Sequence, residues 1–111
     1  MKNEVVLIGS NTMGSPDAKL GQLLLGNFLR ILGDREDLPK YIILWNGGVQ
    51  IAANGSDKLD FLKTLQERGV DIILCKTCVE YFGLENKIGV GEIDGMAHIQ
   101  EILANHVVLT I

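Results

Sequence analysis

A chain of 111 residues has room for one domain, expected to span residues 1–111 as a unit. Its 47% hydrophobic content and two prolines exclude a disordered chain, and a net charge of −4 with ten scattered Lys and Arg excludes the clustered basic surface that nucleic acid needs. No apolar run approaches the roughly 20 residues of a bilayer-crossing helix, so no membrane partner is expected.

The start, Met1-Lys2-Asn3-Glu4, leads straight into Val5-Val6-Leu7-Ile8, a run too short for the apolar core of a signal peptide. A cytoplasmic location is the expectation. Thiols stay reduced there, so two cysteines three residues apart suggest redox, metal or nucleophilic chemistry rather than a staple.

Val5 to Ile8 is continuous rather than alternating, the pattern of a strand covered on both faces. A loop, Gly9 to Gly14, follows. Ser15-Pro16-Asp17 then supplies a capping side chain, a proline for the first helical position and a negative charge for the positive helix end. Leu20, Leu23, Leu24, Phe28 and Ile31 recur at helical spacing as the expected inward face, and Gly33 is a plausible stop.

Tyr41 to Leu44 reads as the second strand, leading into Trp45-Asn46-Gly47-Gly48-Val49-Gln50. Ser56-Asp57 is expected to cap a second helix with Leu59, Leu62 and Leu65 inward and Gly69 at its end. Val70 to Leu74 is the third strand and delivers Cys75. A short helix from about Thr77 to Phe82 ends at Gly83, and Ile88-Gly89-Val90 reads as a short fourth strand. Asp94 caps a last helix through Met96, Ile99, Ile102 and Leu103, and Val107 to Ile111 is the fifth strand. This order predicts an α/β fold, a five-stranded parallel sheet with helices on both faces, whose ligand chemistry gathers at the carboxyl ends of the strands.

Cys75-Lys76-Thr77-Cys78 lies at such an end. A thiol between a strand and a helix can meet unpaired amides and the positive end of the helix dipole, which favour the reactive thiolate. Cys78 falls one turn on, on the same side. The competing reading makes both cysteines small buried hydrophobes. Zinc needs about four ligands, or three plus water, and His98 and His106 do not pair with the cysteines at ligand spacing, so no metal is expected. A thioredoxin-like placement does not fit either: the pair follows the third strand, and Pro16 and Pro39 lie in a helix start and a strand entrance. The glycines of Asn46-Gly47-Gly48 permit close backbone approach. With Asn11 and Thr12 across from them, and Lys76 and Thr77 beside the cysteines, they are expected to line a pocket for a small anionic group.

Several segments together resemble the DsrE-like sulfur-relay superfamily, and within it the C-terminal domain of YedF-type selenium-metabolism proteins. They are Met13-Gly14-Ser15 with Leu20-Gly21, Trp45 to Val49, Gly55-Ser56, Cys75 to Leu84, Val90 to Ile93, and Met96, of which Cys75 to Leu84 is the most specific. The resemblance implies a sulfur or selenium carrier, sulfurtransferase-like, whose Cys75 accepts a persulfide, with Cys78 resolving or sharing it. It also implies self-association as a homo-oligomer, no cofactor, and a sulfur donor or TusA-like carrier acting in trans. That carrier domain precedes this one in YedF-type proteins and is not expected here. Lys76 stands where that group usually has glycine. Two other functions stay open on the residues: a thiol–disulfide redox or sensing module using both cysteines, and a non-catalytic domain that binds a small anion or partner.

Overall fold

The computed structural model describes Met1–Ile111. Five strands, β1 (Val5–Ile8), β2 (Tyr41–Leu44), β3 (Asp71–Cys75), β4 (Glu92–Asp94) and β5 (Val108–Thr110), form one parallel sheet in the order β4-β3-β2-β1-β5. The three central strands are the continuous apolar runs, buried along nearly their whole length. On one face lie α1 (Ala18–Leu32), α2 (Leu59–Glu67), α3 (Lys76–Tyr81) and a 3₁₀ helix, Asn46–Ala52; α4 (Met96–Ala104) covers the other.

Because side chains alternate along a strand, each central strand feeds two cores. Val6, Ile8, Ile42, Leu44, Ile72 and Leu74 pack with Leu25, Leu29, Leu62, Leu65 and Val79. Val5, Leu7, Ile43, Ile73 and Cys75 pack with Ile99 and Ile102 of α4. Cys75 shares its parity with Ile73, and that alternation sets where its sulfur points.

The α1 helix opens on Asp17, whose Oδ1 accepts from the Leu20 amide at 2.9 Å; Pro16 thus lies ahead of the cap, not at the first helical position. Its inward face corrects the expectation from spacing. Gly21, Leu25, Leu29 and Leu32 are buried, while Leu20, Leu23, Leu24 and Ile31 are 53%, 62%, 43% and 55% exposed. The helix carries two apolar stripes, so periodicity alone does not choose between them. Gly21 decides: an added Cβ there would lie 2.8 Å from Thr12 Cβ, so only this face approaches the β1–α1 loop.

The second helix begins at Leu59, two residues beyond Asp57, and neither Ser56 nor Asp57 caps it. Ser56 Oγ instead accepts from the Lys58 amide at 3.1 Å, closing a turn before the helix. The expected fourth strand at Ile88-Gly89-Val90 is also corrected. Ile88 makes one antiparallel bridge with Ala53, Gly89 donates to the Ala52 carbonyl at 2.9 Å, and the strand is Glu92–Asp94. An edge strand needs only one neighbour and one covered face, so Glu-Ile-Asp carries no apolar run to reveal it. No helix is long and apolar enough to cross a membrane.

Candidate functional site

At the carboxyl end of β2 the chain turns through Asn46, which has φ +50. Asparagine tolerates this left-handed conformation because its short side chain bonds locally, and here Asn46 Oδ1 accepts from the Gly47 amide at 2.8 Å. The turn aims the Asn46 N–H at Cys78, donating to Sγ at 3.0 Å. Directly behind, Gly48 packs on β1: an added Cβ would sit 2.2 Å from the Ile8 carbonyl oxygen. Gly48 is thus required by the close approach of two backbone segments.

Cys78 stands on the first turns of α3, partly exposed, in a cleft of about 360 Å³ lined by Asn46, Thr77, Cys78, Tyr81 and Phe82. Tyr81 is exposed at the rim and meets Phe82 edge-on with ring centroids 5.3 Å apart. Cys75 is different. It occupies the N-cap position of α3 but makes no capping bond, and it is only 2% exposed among the residues beneath α4. The expectation that its sulfur opens into a cleft among free amides is therefore corrected. Strand parity turns Cys75 inward with Ile73, and the amide that reaches a sulfur reaches that of Cys78.

Burial governs the ionisation of Cys78. Burial pushes the Cys78 thiol above the ordinary thiol range; the Asn46 N–H opposes this, and the Cys75 thiol beside it adds to the rise. Such a thiol holds its proton longer folded than unfolded. Its contribution to stability is complete below the unfolded thiol value and is lost as the pH climbs through the folded one. Alkylation of Cys78 is accordingly expected to accelerate with pH beyond the point where a free thiol levels off. Asn46→Val, which forces a β-branched residue to positive φ at about 1–2 kcal/mol and displaces the amide, moves that profile further up. Asn46→Gly keeps both conformation and N–H and leaves the profile in place. The pH–rate curve of alkylation checks both.

The residues expected to form one anion pocket fall into separate places. Asn46 and Thr77 line the cysteine cleft. Gly47 and Gly48 support it from behind, against Asn11, Ser10 and Ile8. Asn11 faces a different cavity, with Gln50 and Lys58, and Thr12 Oγ1 is bonded to Ser10 Oγ at 3.0 Å. Lys76 projects to solvent. A cavity of about 400 Å³ runs along the amino-terminal half of β3 beside Gly91 and Glu92, and no cysteine lines it.

Sequence reading missed the aromatic rim, Tyr81 and Phe82, which a short helix at the strand end could have suggested. It also missed the Asp94–His98 pair, whose four-residue spacing on a helix start was the available signal. His98 holds the Asp94 carboxyl below the usual carboxylate range, helped by the Gly95 N–H. His106 Nδ1 lies 2.7 Å from the Ile102 carbonyl oxygen, and its ring packs edge-on against Tyr41. No three His, Cys, Asp or Glu side chains converge as metal ligands.

The chain superposes on a protein of unknown function, MTH1491 from Methanobacterium thermoautotrophicum, with a TM-score of 0.68 at 17% identity, covering 96% of both chains. The ychN protein from E. coli gives 0.64 at 20% identity over 98% of this chain and 99% of that one. A conserved protein of unknown function from Bacteroides thetaiotaomicron, BT1422, gives 0.65 at 23% identity over 97% and 95%. These likenesses show the fold, a parallel sheet with flanking helices. Among curated proteins nothing matches. The model of the DsrE/DsrF-like family matches residues 31–111, most of the chain, including β2, β3, both cysteines and α4. With the strand order and the cysteine-bearing strand end in place, the chain belongs to the DsrE/DsrF-like family, which is associated in general with sulfur relay.

Proposed function

We propose that residues 1–111 act as a cytosolic sulfur or selenium carrier in which a donor protein's persulfide delivers its outer atom to Cys78 and Cys75 then holds it. The observation that carries this is the single amide bond from Asn46 to the Cys78 sulfur, at the wall of an open cleft, with Cys75 immediately behind.

The first step is displacement. The Cys78 sulfur attacks the outer sulfur of the donor persulfide, a new S–S bond forms, and the donor leaves as a thiolate that takes up the Cys78 proton. In the second step the Cys75 sulfur attacks the outer sulfur on Cys78, giving a Cys75 persulfide and restoring the Cys78 thiol. Neither step changes the overall oxidation level, so no cofactor is called on. The Asn46 N–H stabilises negative charge on Cys78 both as nucleophile and as leaving group. The apolar surroundings of Cys75 keep the stored sulfur away from water and stray thiols. The exposed Tyr81 beside the cleft suits contact with a donor or TusA-like carrier in trans, since tyrosine contributes large area at low entropic cost.

Incubation of the reduced protein with a cysteine desulfurase and cysteine, followed by intact mass measurement, tests this. One added sulfur atom is expected; an unchanged mass refutes the carrier reading. The contact between Cys75 and Cys78 also favours a second reading, a thiol–disulfide module that exchanges with a partner disulfide. A pair that stays open across redox buffers from the cytosolic to the strongly oxidising range excludes it.

Self-association belongs to the same proposal. The outward stripe Leu20, Leu23, Leu24 and Ile31 on α1, interrupted by the exposed Asn27, offers apolar surface of the kind that associates. Leu23→Glu with Leu24→Glu should lower the mass found by sedimentation to that of one chain while leaving the fold intact. A wild-type protein already of single-chain mass at high concentration would contradict it.

A further inference from the structure

A lysine sits almost wholly inside this acidic protein. The Lys58 side chain is 7% exposed, and its ammonium donates to Asp57 Oδ1 at 2.8 Å, although the Asp57 side chain is itself 84% exposed. Lysines are buried only when paired, and here the pairing is lopsided. The cation is held firmly, and its partner carboxylate is free to swing into solvent.

The stem is what holds it. It crosses α1 at Gly26, where an added Cβ would stand 3.5 Å from Lys58 Cε and 4.0 Å from the Phe61 ring. The ammonium is thereby delivered to a cavity of about 170 Å³ whose other walls include Asn11, Gln22, Gln50 and Ser56. Asn11 Nδ2 donates to Gln50 Oε1 at 3.1 Å, a bond that fixes both amides and does not use the Gln50 amino group; both residues line the cavity. An ammonium has three N–H donors, and only one is used by Asp57.

We infer that this cavity, between the β1–α1 loop, the 3₁₀ helix and the start of α2, binds a small oxyanion, a carboxylate or a sulfur oxyanion, on Lys58 with Asp57 as the displaceable internal occupant. The position is independent of the cysteine cleft, which none of Gln22, Gln50, Ser56 or Lys58 lines. A cavity of this size takes one carboxylate or sulfate-like group and excludes a nucleotide. Neutral carboxamides around a single cation match a ligand of low charge, and Asp57, an attached carboxylate, shows the group that the ammonium accepts.

The side-chain amide resonances of Asn11, Gln22 and Gln50 report the binding. The reduced full chain is titrated with sodium acetate and, separately, sodium sulfate, against sodium chloride at matched ionic strength. Saturable shifts at these amides with acetate, sulfate or both are expected, and the stronger of the two identifies the source of the oxyanion. Lys58→Met, which keeps the buried stem, should abolish them. Asp57→Asn should tighten binding roughly fivefold, the scale of losing one competing exposed ion pair. Shifts no larger than those with chloride, shifts that survive in Lys58→Met, or weaker binding in Asp57→Asn would overturn the inference. An unchanged backbone spectrum elsewhere certifies the fold of each variant, and sulfur uptake at the cysteines is untouched in all of them.

Discussion

Cys78→Ser is expected to abolish sulfur uptake from a desulfurase, while Cys75→Ser still gains one sulfur atom, now stranded on Cys78. The asymmetry follows from placement. A cysteine residue 2% exposed beneath α4 offers an incoming persulfide no line of attack, whereas Cys78 stands in a cleft with an amide donor on its sulfur. Serine at 78 keeps size and polarity but lacks a nucleophilic thiolate, so the loss should exceed two orders of magnitude, about the scale of removing one essential group from a catalytic unit. In the wild type, peptide mapping after uptake should recover the added sulfur on Cys75. Mapping it on Cys78 alone would remove the second step and leave the first.

Gly48→Ala should be the most damaging single methyl in the molecule. Its Cβ would fall 2.2 Å from the Ile8 carbonyl oxygen and 3.0 Å from the carbonyl carbon, inside backbone that cannot rotate away as a side chain can. Either the 3₁₀ helix lifts off β1 or the strand end shifts. Overpacking of this kind costs about 3 kcal/mol, read as a lower midpoint in urea at unchanged slope. The displacement also withdraws the Asn46 amide from Cys78, because Asn46 and Gly48 lie on the same short helix. Cys78 alkylation should therefore slow in the folded variant. A variant of wild-type stability would show that the helix and strand approach less closely than described.

Much of this fold is legible in the residues, for a physical reason: central parallel strands must be apolar on both sides, and β1, β2 and β3 are. Glu92-Ile93-Asp94 is not legible because an edge strand needs no such run. The orientation of α1 hides behind its second apolar stripe, and only the close packing at Gly21 distinguishes the two. At the site, the strand-end position of the cysteines can be read from sequence. The sulfur directions follow from counting strand parity back from Cys75 to Ile73, but only once α4 is known to lie on that face. Asn46-Gly47-Gly48 announces a turn with positive φ; that its amide ends on a cysteine 32 residues later is a tertiary fact. The buried Lys58 has no sequence signal at all, since Asp-Lys before a helix reads as solvated surface.

The most direct test is site-resolved alkylation of the reduced, native protein at neutral pH, quenched over time and mapped by mass spectrometry. Cys78 is expected to label first and to a large extent before Cys75 reacts, with Cys75 following only as the fold opens. Labelling of Cys75 at the rate of Cys78, or ahead of it, would contradict the claim that sulfur arrives at Cys78.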